Sequence, residues 1–424
     1  MNEKFKGLGF SPADILLPKN CDMEKWSVVA CDQYTSEPEY WQGVEQFVGA
    51  APSTLRMILP EAELNADDVQ NRITAINRNM DACLTNGQFD NAKDTFILVE
   101  RRLKSGELRT GLVGVVDLED YDYNKGACSL IRATEGTVLE RIPPRVRVRE
   151  GASLELPHVM LLIDDPDCTV IEPLTAKKAS FSPVYDFDLM CDSGHIKGYR
   201  VDGGALDSVA NALSRLARPD IFCQKYGVAD KPVLLFAVGD GNHSLATAKE
   251  CWERTKKTIP AGQMHPARYA LVELVNIHDR SLNFEPIHRV VFDIDPEKLI
   301  EAFLAFYPSA HRGTGDGQQI DYISATGTGT LTVEKPDSGL AVGTLQNFLD
   351  EYLTKNGGNV DYIHGEEVVR SLGAKPNNIG LLLPPMGKSE LFKTVITDGV
   401  LPRKTFSMGH AYDKRFYLEC RSIR

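Results

Sequence analysis

The sequence predicts a mixed α/β fold, and three local patterns carry this prediction. Residues 232–238 read PVLLFAV, a continuous apolar run that is typical of a strand buried on both faces. Residues 95–117 have the pattern of a β-hairpin with its turn at 104–107. Apolar residues recur every three to four positions through 65–86, which predicts an amphipathic helix. One chain therefore holds a mixed sheet and the helices that cover it.

Weaker patterns predict the remaining elements. Apolar runs predict strands at 26–31, 159–163, 269–276, 288–292 and 416–420, and residues 181–201 suggest a meander. Helices are predicted to begin at Ser36 and to cover 204–217, 245–257 and 296–306.

The length favours more than one packed unit. The chain has 424 residues, and single hydrophobic cores stop growing near roughly 250–300 residues. The glycine-rich segment 313–331 has the composition of an exposed loop with a weak strand. We therefore expect a main α/β region over 1–312 and a C-terminal α/β region over 313–424, with one compact unit as the alternative.

The composition disfavours several functional classes. The net charge of -12 comes from 47 basic and 59 acidic residues, and broad binding to nucleic acid or to an anionic membrane needs a basic surface. The N-terminal sequence has no apolar core of signal-peptide length, so we expect a cytoplasmic protein. The nine cysteines contain no C-x-x-C pair, which argues against a zinc site and a disulfide framework.

The most informative motif lies where the buried strand at 232–238 ends. Residues 240–244 read Asp-Gly-Asn-His-Ser and connect that strand to a helix. The first amides of a helix have no partner within it, and the helix dipole adds positive charge, so such a junction can bind an anion. Gly241 permits a positive φ and a close approach of the ligand, and Ser244 can cap the helix or donate to a phosphate oxygen. The alternative is a tight turn with an Asx cap and a structural His243.

Asp240 is the exception in an anion site, because a carboxylate repels phosphate. It fits the site if it binds Mg²⁺, orients a hydroxyl group or acts as a base. The motif lacks the lysine of a P-loop and does not read G-x-G-x-x-G, so neither a P-loop nor a dinucleotide fold follows.

A second acidic candidate is Glu135, which lies in the segment Ala-Thr-Glu-Gly-Thr at 133–137. Its carboxylate could act as a general base, with hydroxyl groups such as that of Thr137 positioning the ligand. An exposed glutamate in a solvated loop is the alternative.

Basic residues elsewhere supply further candidates for a phosphate contact. They are Arg141 and Arg145 in an arginine-rich stretch, His288 and Arg289 before a strand, and Lys404 in the turn before the closing strand. Arginine suits bidentate contacts with phosphate or carboxylate. For the arginine-rich stretch, a solvated face paired with nearby acids is the alternative. His158 has no histidine partner at i+4, and we predict a structural role for it.

These motifs resemble those of the family called "domain of unknown function 1015", found in bacteria and archaea. Its members carry D-G-H-H-R after an apolar strand, where this chain has D-G-N-H-S. They carry an H-E-x-T loop, matched here by Glu135 and Thr137 but not by the leading histidine. Two later motifs are matched by Pro286, His288 and Arg289 and by Pro402, Lys404, Thr405 and Phe406.

The D-G-H-x-R type of loop is similar to that of the ParB and sulfiredoxin-like superfamily, where it binds phosphate at a helix N-terminus. The resemblance implies a ParB/sulfiredoxin-like core with a mixed sheet, elaborated by N- and C-terminal α/β segments. In the free serine kinase branch, a glutamate and the loop aspartate serve phosphoryl transfer. That similarity implies catalytic roles for Asp240 and Glu135, with ATP or ADP and Mg²⁺ as cofactors.

The chain departs from the family pattern in two places. Ser244 replaces the loop arginine, which removes a bidentate phosphate clamp, and Asn242 replaces a histidine. The positive charge that the loop arginine would supply is expected from Arg141, Arg145 or Arg289. The alternative is that this member has lost catalysis.

The sequence thus predicts a protein that binds a nucleotide or a phosphorylated small molecule, as a phosphotransferase or a phosphohydrolase. The ligand contacts are expected from Gly241, Asn242, His243, Ser244, Thr137, His288, Arg289, Arg141, Arg145 and Lys404. A regulatory protein that binds such a ligand without catalysis is the alternative. Nucleic-acid binding, the third hypothesis, is disfavoured by the net charge.

Overall fold

The computed structural model of the protein describes residues 2–64, 66–136, 142–260 and 262–424 and confirms the mixed α/β class. Two compact units divide the chain: unit 1 is Met1–Leu282 with His410–Arg424, and unit 2 is Asn283–Gly409. Gly313 lies inside unit 2, and the boundary suggested near it stays a prediction. None of the described helices has the length and apolarity that a bilayer crossing requires.

Unit 1 contains a large mixed sheet and a separate pair of short strands. Its strands are β1 (Phe10–Ser11), β2 (Ala13–Pro18), β3 (Phe89–Arg102), β4 (Leu108–Asp117), β5 (Tyr121–Asp122), β6 (Ile131–Ala133), β7 (Leu154–Glu155), β8 (Met160–Ile163), β9 (Ser182–Asp188), β10 (His195–Val201), β11 (Phe236–Asp240), β12 (Tyr269–Asn276) and β20 (Arg421–Ser422). Its helices are α1 (Met23–Trp26), α2 (Pro38–Val48), α3 (Val69–Thr85), α4 (Ile142–Glu150), α5 (Glu172–Ala176), α6 (Gly204–Leu216), α7 (Pro219–Tyr226) and α8 (Asn242–Thr255).

The described strands of the large sheet follow the order β5-β6-β11-β8-β12-β4-β3-β10-β9, with β1 on β4 and β2 on β3, and β7 pairs with β20 separately. Most pairs are antiparallel, as in the predicted hairpin of β3 and β4. Strands β6 and β11 run parallel, with Ala133 opposite Val238. Their carboxyl ends therefore meet at one edge of the sheet, where β11 passes into α8.

Burial explains why α8 packs where it does. Leu245, Ala248 and Trp252 recur at helical spacing and are all buried, whereas the opposite face carries charged residues. They join the apolar cluster that includes Phe236 of β11 and Phe96 of β3. The start of α8 is thereby fixed against the end of β11.

Unit 2 contains a second mixed α/β arrangement. Its strands are β13 (Phe284–Phe292), β14 (Ala310–Arg312), β15 (Gln318–Ser324), β16 (Gly327–Val333), β17 (Asn359–His364), β18 (Ile379–Leu382) and β19 (Phe406–Met408), and its helices are α9 (Pro296–Phe306), α10 (Ala341–Asn356), α11 (Glu366–Gly373) and α12 (Lys388–Asp398). The strand order is β14-β16-β15-β18-β13-β17, with β19 on β13.

Two of the predicted strands are wrong, and a third is displaced. Residues 26–31 end a short helix and then run without regular pairing, apart from an isolated bridge between Val29 and Phe416. Residues 416–420 likewise form bridges rather than a strand. The run predicted at 232–238 pairs only from Phe236 onward. In each case apolar side chains are buried, but their backbone lacks a continuous neighbouring strand.

Candidate functional site

The loop between β11 and α8 depends on a glycine. Gly241 has φ of 79°, in the left-handed region, as predicted. A Cβ built there would lie 3.1 Å from the Cα atom of Val159, so any other residue is both strained and crowded. Gly241 is the N-cap residue of α8. Asp240, the last residue of β11, accepts a hydrogen bond at Oδ1 from the Gly241 amide at 3.1 Å.

Asn242 clamps this loop to the loop after β6. Its Oδ1 accepts from the backbone N–H of Thr134 at 3.2 Å, and its Nδ2 donates to Thr134 Oγ1 at 3.3 Å. The Thr134 hydroxyl donates in turn to the carbonyl oxygen of Val238 at 2.6 Å. The Asn242 side chain thus holds the two loops together, and the ligand contact suggested for it stays a prediction.

Replacing Thr134 with valine is expected to destabilise unit 1 by about 1–2 kcal/mol, because buried hydrogen-bonding groups lose their partner. Thr134→Ser keeps the hydroxyl group and is the matched control. The chain has three tryptophans, at 26, 41 and 252, all in unit 1, so urea unfolding followed by tryptophan fluorescence measures the change. Equal midpoints for the valine and serine variants would contradict the clamp.

The clamp brings the two predicted catalytic carboxylates to one edge of the sheet. Glu135 follows Thr134 directly, and Asp240 precedes Asn242 by two residues. Since β6 and β11 are parallel neighbours, both acids come just at or beyond the carboxyl ends of paired strands. The structure therefore brings together two segments that are far apart in the sequence.

Lys414 provides a cation at this edge. Its Nζ lies 3.1 Å from Asp240 Oδ2, and its side chain is only 11% exposed. Among the residues that the structure describes, no group of three or more His, Cys, Asp or Glu could hold a metal ion. Asp240 was predicted to bind Mg²⁺, which needs further oxygen ligands. In the structure Asp240 is instead ion-paired with the ammonium group of Lys414. The described side chains do not fit a metal ion held by the protein alone.

Ser244 lies in the first turn of α8, not at its cap, which is Gly241. Its hydroxyl is 2.7 Å from Nε2 of His158, and Nδ1 of His158 is 2.8 Å from the Tyr417 hydroxyl. Tyr417 also accepts a hydrogen bond from the Cys31 amide at 3.2 Å. Four segments of the chain therefore meet in one hydrogen-bonded series, and His158, predicted as structural, belongs to the site.

A third acid, Asp32, lies in the same electrostatic environment. Burial by itself would raise the pKa of its carboxyl, but the attraction of His158 and Lys414 and a hydrogen bond from Gln33 hold that pKa below its ordinary value. Burial, above all, raises the pKa of the neighbouring Cys31 thiol to about 12. Asp32 is thus a stable carboxylate, and Cys31 is a neutral thiol.

A cavity of about 150 Å³ opens next to Ser244 and His158. Arg145 contributes to its wall and forms an ion pair with Glu61. The phosphate contact suggested for Arg145 stays a prediction. Thr137 and Arg141 lie outside the described residues. His243 is partly exposed, and its carbonyl oxygen accepts a hydrogen bond from Thr247 at 2.8 Å.

The remaining basic candidates belong to unit 2. Arg289 is fully buried and donates to the carbonyl oxygens of Arg403 and Lys404, each at 2.9 Å. Nδ1 of His288 accepts from the Leu383 amide at 3.1 Å, and burial lowers the pKa of its ring. These contacts give both residues structural roles, and the phosphate contacts suggested for them stay predictions. The side chain of Lys404 is exposed, and its role in ligand binding stays a prediction.

Sequence reasoning missed Asp32, His158, Lys414 and Tyr417. One signal was present for Asp32, because it follows a buried apolar run as Asp240 does. The C-terminal residues Lys414 and Tyr417 carry no local motif, and only the fold brings them to this edge.

The fold and this site define a mixed α/β protein with a polar site at the carboxyl ends of neighbouring parallel strands. The chain belongs to the DUF1015 family, described as "Protein of unknown function", whose model matches residues 13–362. This confirms the family resemblance, while the relationship to the ParB and sulfiredoxin-like superfamily stays a prediction. No curated protein matches the chain.

Several solved structures are distantly similar. A free serine kinase in complex with AMP shares 10% identity at a TM-score of 0.37, covering 72% of this chain and 90% of its own. A conserved hypothetical protein from Pyrococcus furiosus shares 12% identity at 0.35, covering 73% and 94%. SbnI with C-terminal truncation from Staphylococcus aureus shares 9% identity at 0.36, covering 70% and 83%. Likeness at this level carries no argument about function.

Proposed function

We propose that unit 1 binds the phosphate groups of a nucleotide at the start of α8 and transfers a phosphoryl group to a small molecule. The observation that carries this proposal is Asp240, which is ion-paired with Lys414 and ends β11 directly before the N-cap of α8. Helix N-termini attract anions through their unpaired amides and their dipole. Lys414 supplies a positive charge that the loop lacks because Ser244 stands in place of arginine.

The proposed reaction uses the two carboxylates in different ways. Asp240 orients the hydroxyl group of the acceptor, whose oxygen attacks the terminal phosphorus of ATP or ADP. The hydroxyl proton passes to Glu135. The bond from phosphorus to the bridging oxygen breaks, and its electron pair leaves with the nucleotide. Lys414 and the α8 amides stabilise the charge on the phosphoryl oxygens, which is the main requirement of phosphoryl transfer. Water in place of the acceptor gives hydrolysis.

Nucleotide titration tests the proposed site. Lys414→Met is expected to weaken ATP binding by about tenfold to a hundredfold, because hydrogen bonds to charged groups contribute about 1.5–3 kcal/mol. The matched control is Lys256→Met, which removes a lysine from the opposite end of α8, where it pairs with Glu253 and Glu119. Isothermal titration calorimetry of both variants measures the difference. Absence of ATP and ADP binding to the wild-type protein would overturn the proposal.

A protein that binds a nucleotide without catalysis is the second candidate. It is favoured by the side chain at position 244, which is a serine hydrogen-bonded to His158 and not an arginine available to a phosphate. Tight binding of ATP or ADP without turnover, in the presence of varied acceptor alcohols, would select this function over phosphoryl transfer.

A further inference from the structure

The cavity beside α8 has neutral, largely apolar walls. Residues from α3, α4, β7, α8 and β12 line it, among them Met80, Val148, Leu154, Leu245 and Leu271. Its two arginines are each ion-paired, Arg145 with Glu61 and Arg149 with Glu155, the latter at 2.5 Å. Paired charges give the cavity no net attraction for an ionic group. A dry apolar cavity of about 150 Å³ is large enough for a benzene-sized molecule.

The hydrogen bonds at the polar end of the cavity fix which group donates and which accepts at Ser244. The Cys31 amide can only donate, and it donates to the Tyr417 oxygen. In the tautomer whose Nδ1 accepts from the Tyr417 hydroxyl, and equally in the imidazolium that attracts Asp32, the Nε2–H of His158 donates to the Ser244 oxygen. The Ser244 hydroxyl proton is left to donate to a ligand. The cavity thus ends in a hydrogen-bond donor that would meet a ligand oxygen.

We propose that this cavity is the acceptor pocket of unit 1, and that the acceptor is a small neutral alcohol with a compact hydrocarbon group. The hydrocarbon group fills the apolar part of the cavity. The alcohol oxygen accepts a hydrogen bond from Ser244. The hydroxyl proton of the alcohol then passes to Glu135, as in the proposed reaction. The role as acceptor rests on the proposed function, whereas the binding of the alcohol does not.

Binding of benzyl alcohol and toluene to the full chain tests the pocket. We expect benzyl alcohol to bind the wild-type protein about fivefold more tightly than toluene, as one net hydrogen bond allows. Ser244→Ala is expected to remove this preference and leave toluene binding unchanged. Ligand-observed NMR titration measures both affinities. A preference that persists in Ser244→Ala would overturn the role of the hydroxyl.

Filling the cavity gives a second test. Val148→Phe, at a half-buried position of the cavity wall, is expected to weaken benzyl alcohol binding by at least about tenfold, as steric changes in apolar pockets do. Arg147→Phe introduces the same ring at an exposed position of α4 and is the matched control. Equal binding by both variants, with tryptophan fluorescence showing both folded, would overturn the pocket.

Product analysis separates the pocket from the proposed function. With ATP and benzyl alcohol, the wild-type protein is expected to form benzyl phosphate, and Val148→Phe to form less while binding ATP as tightly. Benzyl alcohol binding without any ATP binding would overturn the phosphoryl transfer proposal and leave the pocket as a ligand site. ATP turnover in a protein that binds neither benzyl alcohol nor toluene would overturn the pocket alone.

Discussion

Replacing Asp240 with asparagine is expected to lower phosphoryl turnover by about a hundredfold to ten-thousandfold, the range that positioned acid–base groups contribute. Asparagine keeps the shape of the side chain and an acceptor oxygen for the Gly241 amide. It loses the negative charge that holds Lys414 and orients the acceptor hydroxyl. ATP binding is expected to stay equal or to become tighter, because a carboxylate that repels phosphate is gone. A coupled assay of ADP release and an ATP titration measure the two effects.

Two further variants make this prediction decisive. Glu135→Gln is expected to reduce turnover comparably, since it removes the proposed proton acceptor. Asp167→Asn, at a side chain that is 74% exposed in the turn after β8, should leave both measurements unchanged. Wild-type turnover in Asp240→Asn and Glu135→Gln together would show that neither carboxylate takes part in the chemistry.

The sequence predicted the centre of this site because its signals are local. The apolar run before Asp240 indicates a buried strand, Gly241 indicates a left-handed residue, and the spacing of Leu245, Ala248 and Trp252 indicates the buried face of a helix. Each signal comes from neighbouring residues, whose conformational preferences do not require knowledge of the rest of the chain. The hairpin of β3 and β4 was predictable for the same reason.

The other half of the site depends on long-range contacts that no local pattern indicates. His158 meets Ser244 across 86 positions and Tyr417 across 259. Lys414 reaches Asp240 from a segment near the C-terminus. An isolated histidine or lysine is usually structural or exposed, so its role here follows from its neighbours in space. The failure at 26–31 has the same origin, because burial of Val28 and Val29 does not require them to pair within a sheet.

The family motifs also acquire a physical explanation. Two of these motifs, at 286–289 and 402–406, are neighbours in the structure. They lie where β13 pairs with β19 and Pro286 is opposite Phe406. Arg289 donates to the carbonyl oxygens of Arg403 and Lys404. The two motifs, which were interpreted separately, are therefore in direct contact within unit 2. A sequence pattern shared with a family can therefore reflect packing, whereas the motif at 240–244 lies at a strand end beside a cavity.

Replacing Arg415 with methionine is expected to destabilise unit 1 by about 3–5 kcal/mol, the usual cost of removing one partner from a buried ion pair. Its guanidinium group contacts Glu273, lies 2.6 Å from Glu419 and donates to the Pro157 carbonyl oxygen at 3.1 Å. The side chains of all three charged residues are at most 3% exposed. Methionine would therefore leave two buried carboxylates without their ion-pair partner, next to the segment that carries Lys414.

Urea unfolding followed by tryptophan fluorescence measures this loss, because the tryptophans report on unit 1 alone. Adding Glu273→Gln and Glu419→Gln to Arg415→Met is expected to recover part of the lost stability, since the uncompensated charges are then gone. Arg254→Met, which breaks an exposed pair with Glu250 on α8, should leave the midpoint nearly unchanged. If the triple variant is no more stable than Arg415→Met, the stabilisation comes from packing of the arginine side chain and not from its charge.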